Sequence, residues 1–414
     1  MGGRSVEQLD TLQKQLSTRE VFLSLARRYR LSPRETDALA RACRDAGEAD
    51  WHEATEETLY RETGGLFCHH LREAGVDPPK ILRAEYKWIS LSSTVKEAEL
   101  RRLSPGLIKA GFRVLLIKGT ALYQSIYKNP GLRNFEDSDW VLAGHSDWET
   151  AKRELRTLGY KPSGHGDDSR WKRGPFIVEL HHNVLGDERL AARISGLGAS
   201  NVEIDGEVWA RARPLVLGEP FLMPAPEDHL LIMCAHLMKH GFEPGIWFVD
   251  LEALLLETES FDWAAALDRA DRWGLLRAVA FAFRNLGALG GIENLGERGD
   301  LLPPGVRAQL AEIRLTSLDS YLLTLAAKGE WISGEKKEWR RVPIGNLLWL
   351  SSQPTFAGKI RLLWEASFPR GEVMEEIYPD YRPAMRWWFM ARRAADLVHL
   401  GGRVLALTGW ERSR

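Results

Sequence analysis

The chain has 414 residues, of which 44% are apolar and 27% charged, so it can build two or three domains around a sizeable core and is not a disordered or fibrous protein. Its net charge of −1 provides no global basic field to recruit long nucleic acid. Three scattered cysteines (Cys43, Cys68, Cys234) offer neither a disulfide framework nor a CxxC metal knuckle.

Residues 1–16 lack the apolar core of a signal peptide, and the N-terminus fails the myristoylation pattern. No run approaches the ~18 apolar residues of a spanning helix, so a cytoplasmic protein without a membrane span is expected. The sixteen tryptophans are read mostly as packing anchors.

Residues 1–105 read as helices. Ser32-Pro33-Arg34-Glu35 is a capping box, followed by Ala38, Leu39, Ala42 and Cys43 at helical spacing. A further helix runs from Ile81 to Leu103, with Pro105-Gly106 as its stop. The pattern then changes: Arg113–Ile117 is a short strand closed by Lys118-Gly119, Ala121–Tyr127 is helical, and Asn129-Pro130-Gly131 is a turn. Ser138–Leu142 is a second strand, Asp147–Leu158 an amphipathic helix, and Phe176–Leu180 a third strand. Asp205-Gly206 suggests a hairpin of Asn201–Ile204 with Glu207–Ala210. Beyond Pro226 the chain is helical again, over Glu227–His240, Phe248–Glu257, Asp262–Trp273, Arg277–Leu289, Leu310–Lys328 and Arg382–Leu400. Residues 296–305 read as a loop, and 329–380 give no clear pattern. The expected class is α+β with an α/β-type core. A small mixed sheet (106–222) would sit between helical N-terminal (1–105) and C-terminal (223–414) regions.

Within the core, Asp137 and Asp139 stand two apart at the head of a strand and project from the same side. Two carboxylates on one rigid face repel unless a cation lies between them, which suggests a Mg²⁺ site. Glu179 on the third strand can reach the same face, making three carboxylates, an arrangement that serves phosphoryl or nucleotidyl transfer. Lys118-Gly119-Thr120 ends a strand and opens a helix, a turn suited to anions: the lysine adds charge, the glycine close approach, and the threonine a hydroxyl. Arg133 is a candidate triphosphate clamp. Glu136 has the wrong parity and reads as surface. His181 shares the parity of Glu179 and lines the cleft, whereas His182 faces away. His236 and His240 lie one helical turn apart. The HExxH zinc pattern fails, so they read as a packed or substrate-lining pair with Lys239 nearby. Cys68-His69-His70 reads as structural. Arg386-Trp387-Trp388-Phe389 fits a helix that packs its aromatics on the domain; membrane-surface or nucleic-acid contact is the sharper reading.

The order Leu-Ile-Lys118-Gly-Thr-Ala-Leu, Tyr127…Pro130-Gly-Leu-Arg133, Asp137-x-Asp139, Glu179-Leu-His181, then His236-x-x-x-His240 and Trp247…Asp250, resembles the uncharacterised nucleotidyltransferase family of the polymerase-β-like superfamily. The resemblance spans roughly residues 110–290. It implies a divalent-metal-dependent (Mg²⁺ or Mn²⁺) transfer from an NTP co-substrate, with Asp137, Asp139 and Glu179 as metal ligands. The third carboxylate would also be able to take the proton of an attacking hydroxyl. Lys118-Gly119-Thr120 replaces the superfamily's Gly-Ser phosphate loop, and Ser138 replaces the family's usual apolar residue between the aspartates. The acceptor is open between a small molecule such as an antibiotic or sugar, a peptide or protein, and a nucleic-acid end, with the near-neutral charge weighing against long nucleic acid. Two other readings remain: a phosphoryl- or sugar-phosphate-transferring enzyme using the same site, and a non-catalytic nucleotide-binding scaffold.

Overall fold

A computed structural model describes residues 17–288 apart from 112, 144, 164–168, 187–189, 191–192 and 195–199, then 302–328, 344–368 and parts of 374–398. Residues 296–301 of the expected loop lie outside the described residues; Leu302 and Pro303 are non-helical, and Pro304 and Gly305 already begin a helix.

Five helices lead the described chain: α1 (Thr18–Leu25), α2 (Pro33–Asp45), α3 (Glu48–Tyr60), α4 (Gly64–Glu73) and α5 (Lys80–Ala110). The capping box at the start of α2 forms as the sequence implies. The Glu35 amide donates to Ser32 Oγ at 3.3 Å, and Glu35 Oε2 accepts from the Ser32 amide at 2.7 Å. Helix α5 does not stop at Pro105-Gly106 but continues to Ala110 and is closed by Gly111 at φ +82°. Leu100, Leu103 and Leu107, all fully buried, hold the helix to the core on both sides of the proline. That burial outweighs the one backbone hydrogen bond that proline removes.

The sheet has seven strands: β1 (Val114–Ile117), β2 (Ser138–Leu142), β3 (Lys161–Pro162), β4 (Arg170–Arg173), β5 (Phe176–His181), β6 (Arg213–Pro214) and β7 (Phe221–Met223). Their order is β3-β4-β5-β2-β1-β7-β6. β2 is antiparallel to β1 and parallel to β5, so the sheet is mixed, as expected. One rung crosses it as Ile117, Asp139, Glu179 and Arg170 on β1, β2, β5 and β4.

Helix α6 (Lys118–Ser125) follows β1 directly, and α7 (His145–Thr157) follows β2. The predicted hairpin is instead helix α8 (Asn201–Arg211). Ser200 and Glu203 form a capping box, and Ile204 and Val208 bury one apolar stripe, which overrides the turn tendency of Asp205-Gly206. The later helices are α9 (Pro226–Lys239), α10 (Ile246–Glu257), α11 (Trp263–Arg272), α12 (Leu276–Ala288), α13 (Pro304–Glu312), α14 (Ser317–Lys328), α15 (Ile344–Ser352) and α16 (Phe356–Ser367). Helices α15 and α16 lie where the sequence showed no pattern. Trp140, Trp171, Trp273 and Trp349 are fully buried, matching their reading as anchors. In the helix over 386–396 only Phe389 is buried among the three aromatics, and it packs on Tyr378 and Tyr381 in a small cluster separate from the main core, not on the domain as expected. Trp387 and Trp388 are 79% and 51% exposed, Trp388 meeting the Phe389 ring edge-on.

The N-terminal helices hold the loop that leads into β2. Ser93 Oγ donates to the Arg133 carbonyl at 3.0 Å, Lys96 Nζ donates to the Phe135 carbonyl, and Tyr86 donates to Asn129 Oδ1 at 2.8 Å. Asn129 in turn accepts from the Gly131 amide at 3.0 Å, closing the expected turn. Gly65 packs so tightly here that a Cβ on it would stand 2.3 Å from the Gly131 carbonyl oxygen and 2.8 Å from Ile89 Cδ1. Gly65→Ala is therefore expected to cost about 1–3 kcal/mol, read as a lower urea midpoint at constant slope. An unchanged midpoint would contradict this packing.

Candidate active site

The register of β2 and β5 sets the geometry. Asp139 and Glu179 are direct neighbours, and His181 lies two residues beyond Glu179 on the same face. Asp139 is 5% exposed and could not remain charged there alone. Its Oδ1 accepts from Lys118 Nζ at 2.7 Å and lies 2.8 Å from His181 Nε2. Burial opposes ionisation of Asp139, but Lys118 and His181 outweigh it and hold the carboxyl well below its ordinary range. Asp137, half-buried just before β2, shows the opposite balance. Burial, then the charges of Asp139 and Glu179, push its pKa up to about 6. Burial also works against the Lys118 charge, yet Asp139, Glu179 and Asp137 together keep its pKa raised.

The Lys118-Gly119-Thr120 turn makes contacts that its sequence did not indicate. Lys118 adopts φ +55°, rare for a non-glycine residue and typical of strained functional sites. Its amide donates to His229 Nε2 at 3.1 Å. A Cβ on Gly119 would meet Arg133 Nη2 at 2.7 Å, so the glycine makes room for that guanidinium. The Thr120 hydroxyl donates to the Asp137 carbonyl at 3.0 Å, which pins the acidic loop to α6. Arg133, expected as a triphosphate clamp, is 4% exposed and committed elsewhere. Its Nε and Nη2 donate to the two Asp250 carboxylate oxygens at 3.0 and 2.8 Å, and Nη1 donates to the Asn134 carbonyl. Tyr127 donates to the same Asp250 at 2.8 Å. A guanidinium paired in this way inside the protein holds the loop in place and has little left to offer a phosphate.

His236, His240 and Trp247 form one ring cluster with centroids 4.5 to 4.8 Å apart, at the C-terminal end of α9 and the start of α10. Burial lowers the pKa of His236 far below its ordinary value, and His240, Lys118, Lys239 and His181 add to the effect, so this ring borders the acidic site. Lys239 is half-buried beside it. His182 turns away and stacks on Trp148 at 3.7 Å. His70 is bonded through Nε2 to the Arg28 carbonyl at 2.8 Å, a structural role as read.

Three residues near the site were not singled out from the sequence. His229 is fully buried on α9, seven residues before His236, and that two-turn spacing was the available signal. Arg170 is exposed on β4, level with Glu179, and its charge reaches Asp137. Gly186, at φ +72°, lies against Lys118: a Cβ there would stand 3.0 Å from Nζ.

The donor set suits a divalent cation. One ligand atom each from Asp139, Glu179 and His181 lie within 4.8 Å of one another. The chain belongs to the uncharacterised nucleotidyltransferase family, which it matches over residues 47–291. The match extends beyond the resembling stretch to include α3, α4 and α5, so the helices that brace the β2 loop are part of the family's unit. No curated protein and no solved structure matches the chain.

Asp250→Ala should leave the Arg133 charge buried without its partner and cost ~3–5 kcal/mol in chemical denaturation; a negligible loss would restore Arg133 as a free clamp. His229 gives a pH signature. Burial lowers its pKa from 6.5 to about 4, so between those values the unfolded chain binds a proton that the fold refuses. Its contribution to stability is complete above pH 6.5 and declines on acidification toward pH 4, by on the order of 3 kcal/mol. His229→Gln, which keeps an acceptor for the Lys118 amide, should show a flatter stability–pH curve over that range.

Proposed function

We propose that the chain transfers a nucleoside monophosphate from an NTP to the hydroxyl of a small-molecule or peptide acceptor, with a divalent cation held at the Asp139–Glu179 face. The in-register pair Asp139 and Glu179, with Asp137 beside them, is the observation that carries this reading, set in a chain of a nucleotidyltransferase family. A bound cation would supply charge neutralisation for the triphosphate and the departing pyrophosphate.

The chain's own residues divide the remaining work. Glu179, half-buried and level with Asp139, is placed to take the proton of the attacking hydroxyl. Lys118 and the exposed Arg170 flank the carboxylates and provide the cations nearest the expected phosphates, in place of Arg133. His236, Lys239, His240 and Trp247 form the wall facing Lys118 and make the acceptor side, where flat rings and a cation suit a polar organic molecule. Among the described residues no helix is long and apolar enough to cross a membrane, and the net charge of −1 offers long nucleic acid no attractive field.

Incubation with α-labelled and γ-labelled NTPs and a panel of acceptors tests the reading. The α label should pass to an acceptor with release of pyrophosphate, and Glu179→Gln should slow that step by roughly 10²–10⁴-fold. Transfer of the γ label would mean phosphoryl transfer instead. NTP binding indifferent to Asp137→Ala and Asp139→Ala would leave a scaffold without chemistry.

A further inference from the structure

We propose that the His181 imidazole is a direct ligand of the cation at this site, alongside Asp139 and Glu179, and that the site prefers first-row transition ions such as Mn²⁺ over Mg²⁺. The inference rests on the metal-dependent reading above and replaces its all-carboxylate ligand set.

Geometry carries the argument. An octahedral ion with bonds of ~2.1 Å places adjacent donors ~3.0 Å apart and opposite donors ~4.2 Å apart. His181 Nε2 stands 2.8 Å from Asp139 Oδ1 in a hydrogen bond, and loss of the proton between them would leave the two atoms at the spacing of adjacent donors. The Glu179 oxygen completes a set whose members all lie within 4.8 Å, and Asp137 is outside that set. His181 is no chance neighbour from a loop. It ends β5, which is paired in register to β2, and it is 7% exposed, so its ring stays aimed at the rung that holds Asp139 and Glu179. The ligand set is thus two carboxylates and one imidazole on two adjacent strands.

The chemistry follows from the donors. Mg²⁺ favours oxygen ligands and keeps its waters, whereas an imidazole nitrogen favours first-row transition ions, least at Mn²⁺ and increasingly along the series, and Mn²⁺ is the member whose nitrogen coupling is read by resonance. A nitrogen in place of the third carboxylate also lowers the negative charge of the site by one. Lys118 Nζ lies 2.7 Å from the same Asp139 oxygen, so the ammonium shares the face that the cation would use.

The test is Mn²⁺ titration of the nucleotide-free protein, followed by electron paramagnetic resonance. Bound Mn²⁺ should show nitrogen modulation in the pulsed spectrum. His181→Asn should abolish that modulation and lower the ratio of Mn²⁺ to Mg²⁺ affinity by roughly tenfold or more, while His236→Asn should keep it. If His181→Asn fails to fold, [¹⁵N]histidine labelling of the otherwise unaltered protein and of His236→Asn carries the assignment. Mn²⁺ bound without nitrogen modulation overturns the His181 assignment and leaves a carboxylate metal site standing. Modulation that survives His181→Asn overturns it as well. No Mn²⁺ binding at all removes the metal-dependent reading and this inference with it.

Discussion

Two carboxylates on neighbouring strands, level with each other, are the constraint on which the rest of the site depends. Asp139 and Glu179 cannot share a rung of a buried sheet without positive charge beside them. Lys118 supplies it, and to reach Asp139 it leaves β1 in a left-handed conformation that few non-glycine residues adopt. The backbone at that point is held by a neutral buried histidine, His229, and the side chain is bounded by Gly186, where no larger residue would fit without displacement. Lys118 and His181 hold Asp139 ionised, whereas Asp137 is pushed up to about 6 by burial first and then by the charges of Asp139 and Glu179.

A second layer fixes where Asp137 lies. Arg133, Asp250 and Tyr127 form a buried network that ties the loop before β2 to α10, 117 residues away in sequence. Gly65 allows α4 to touch the same loop and Gly131 makes room there for the Tyr86 ring of α5, while Ser93 and Lys96 of α5 hold its carbonyls. Buried pairs of this kind add less to net stability than their short distances suggest, because both ions lose water. Their effect is positional: the loop has one place to be, and the carboxylates follow it. The family match beginning at residue 47 agrees with this, since it takes in the helices that do the bracing.

The aromatic cluster beside the acidic face is built differently. His236, His240 and Trp247 meet through ring faces and edges. In the proposed reaction the acidic face would meet the phosphates and the aromatic wall beside it would meet the acceptor.

Much of this was legible in the chain alone because it is local. Strand parity placed Asp139, Glu179 and His181 on one face, the capping box and helical spacing located α2, and alternating strands and helices gave a mixed sheet between helical regions. Pairings between distant segments were not legible. Nothing near Arg133 shows that Asp250 occupies its guanidinium, and Gly119 and Thr120 read as phosphate contacts until Arg133 and the Asp137 carbonyl are seen against them. Local signals also lost to burial: the Asp205-Gly206 turn lies inside α8, and Pro105 inside α5, because apolar stripes on those helices gain more from the core than the turn and the proline take away. The sequence by itself determined which residue types carry the charge and on which side of their strands they stand. Only the tertiary structure decided which charges neutralise one another, because that depends on distances of a few ångströms between segments far apart in the chain.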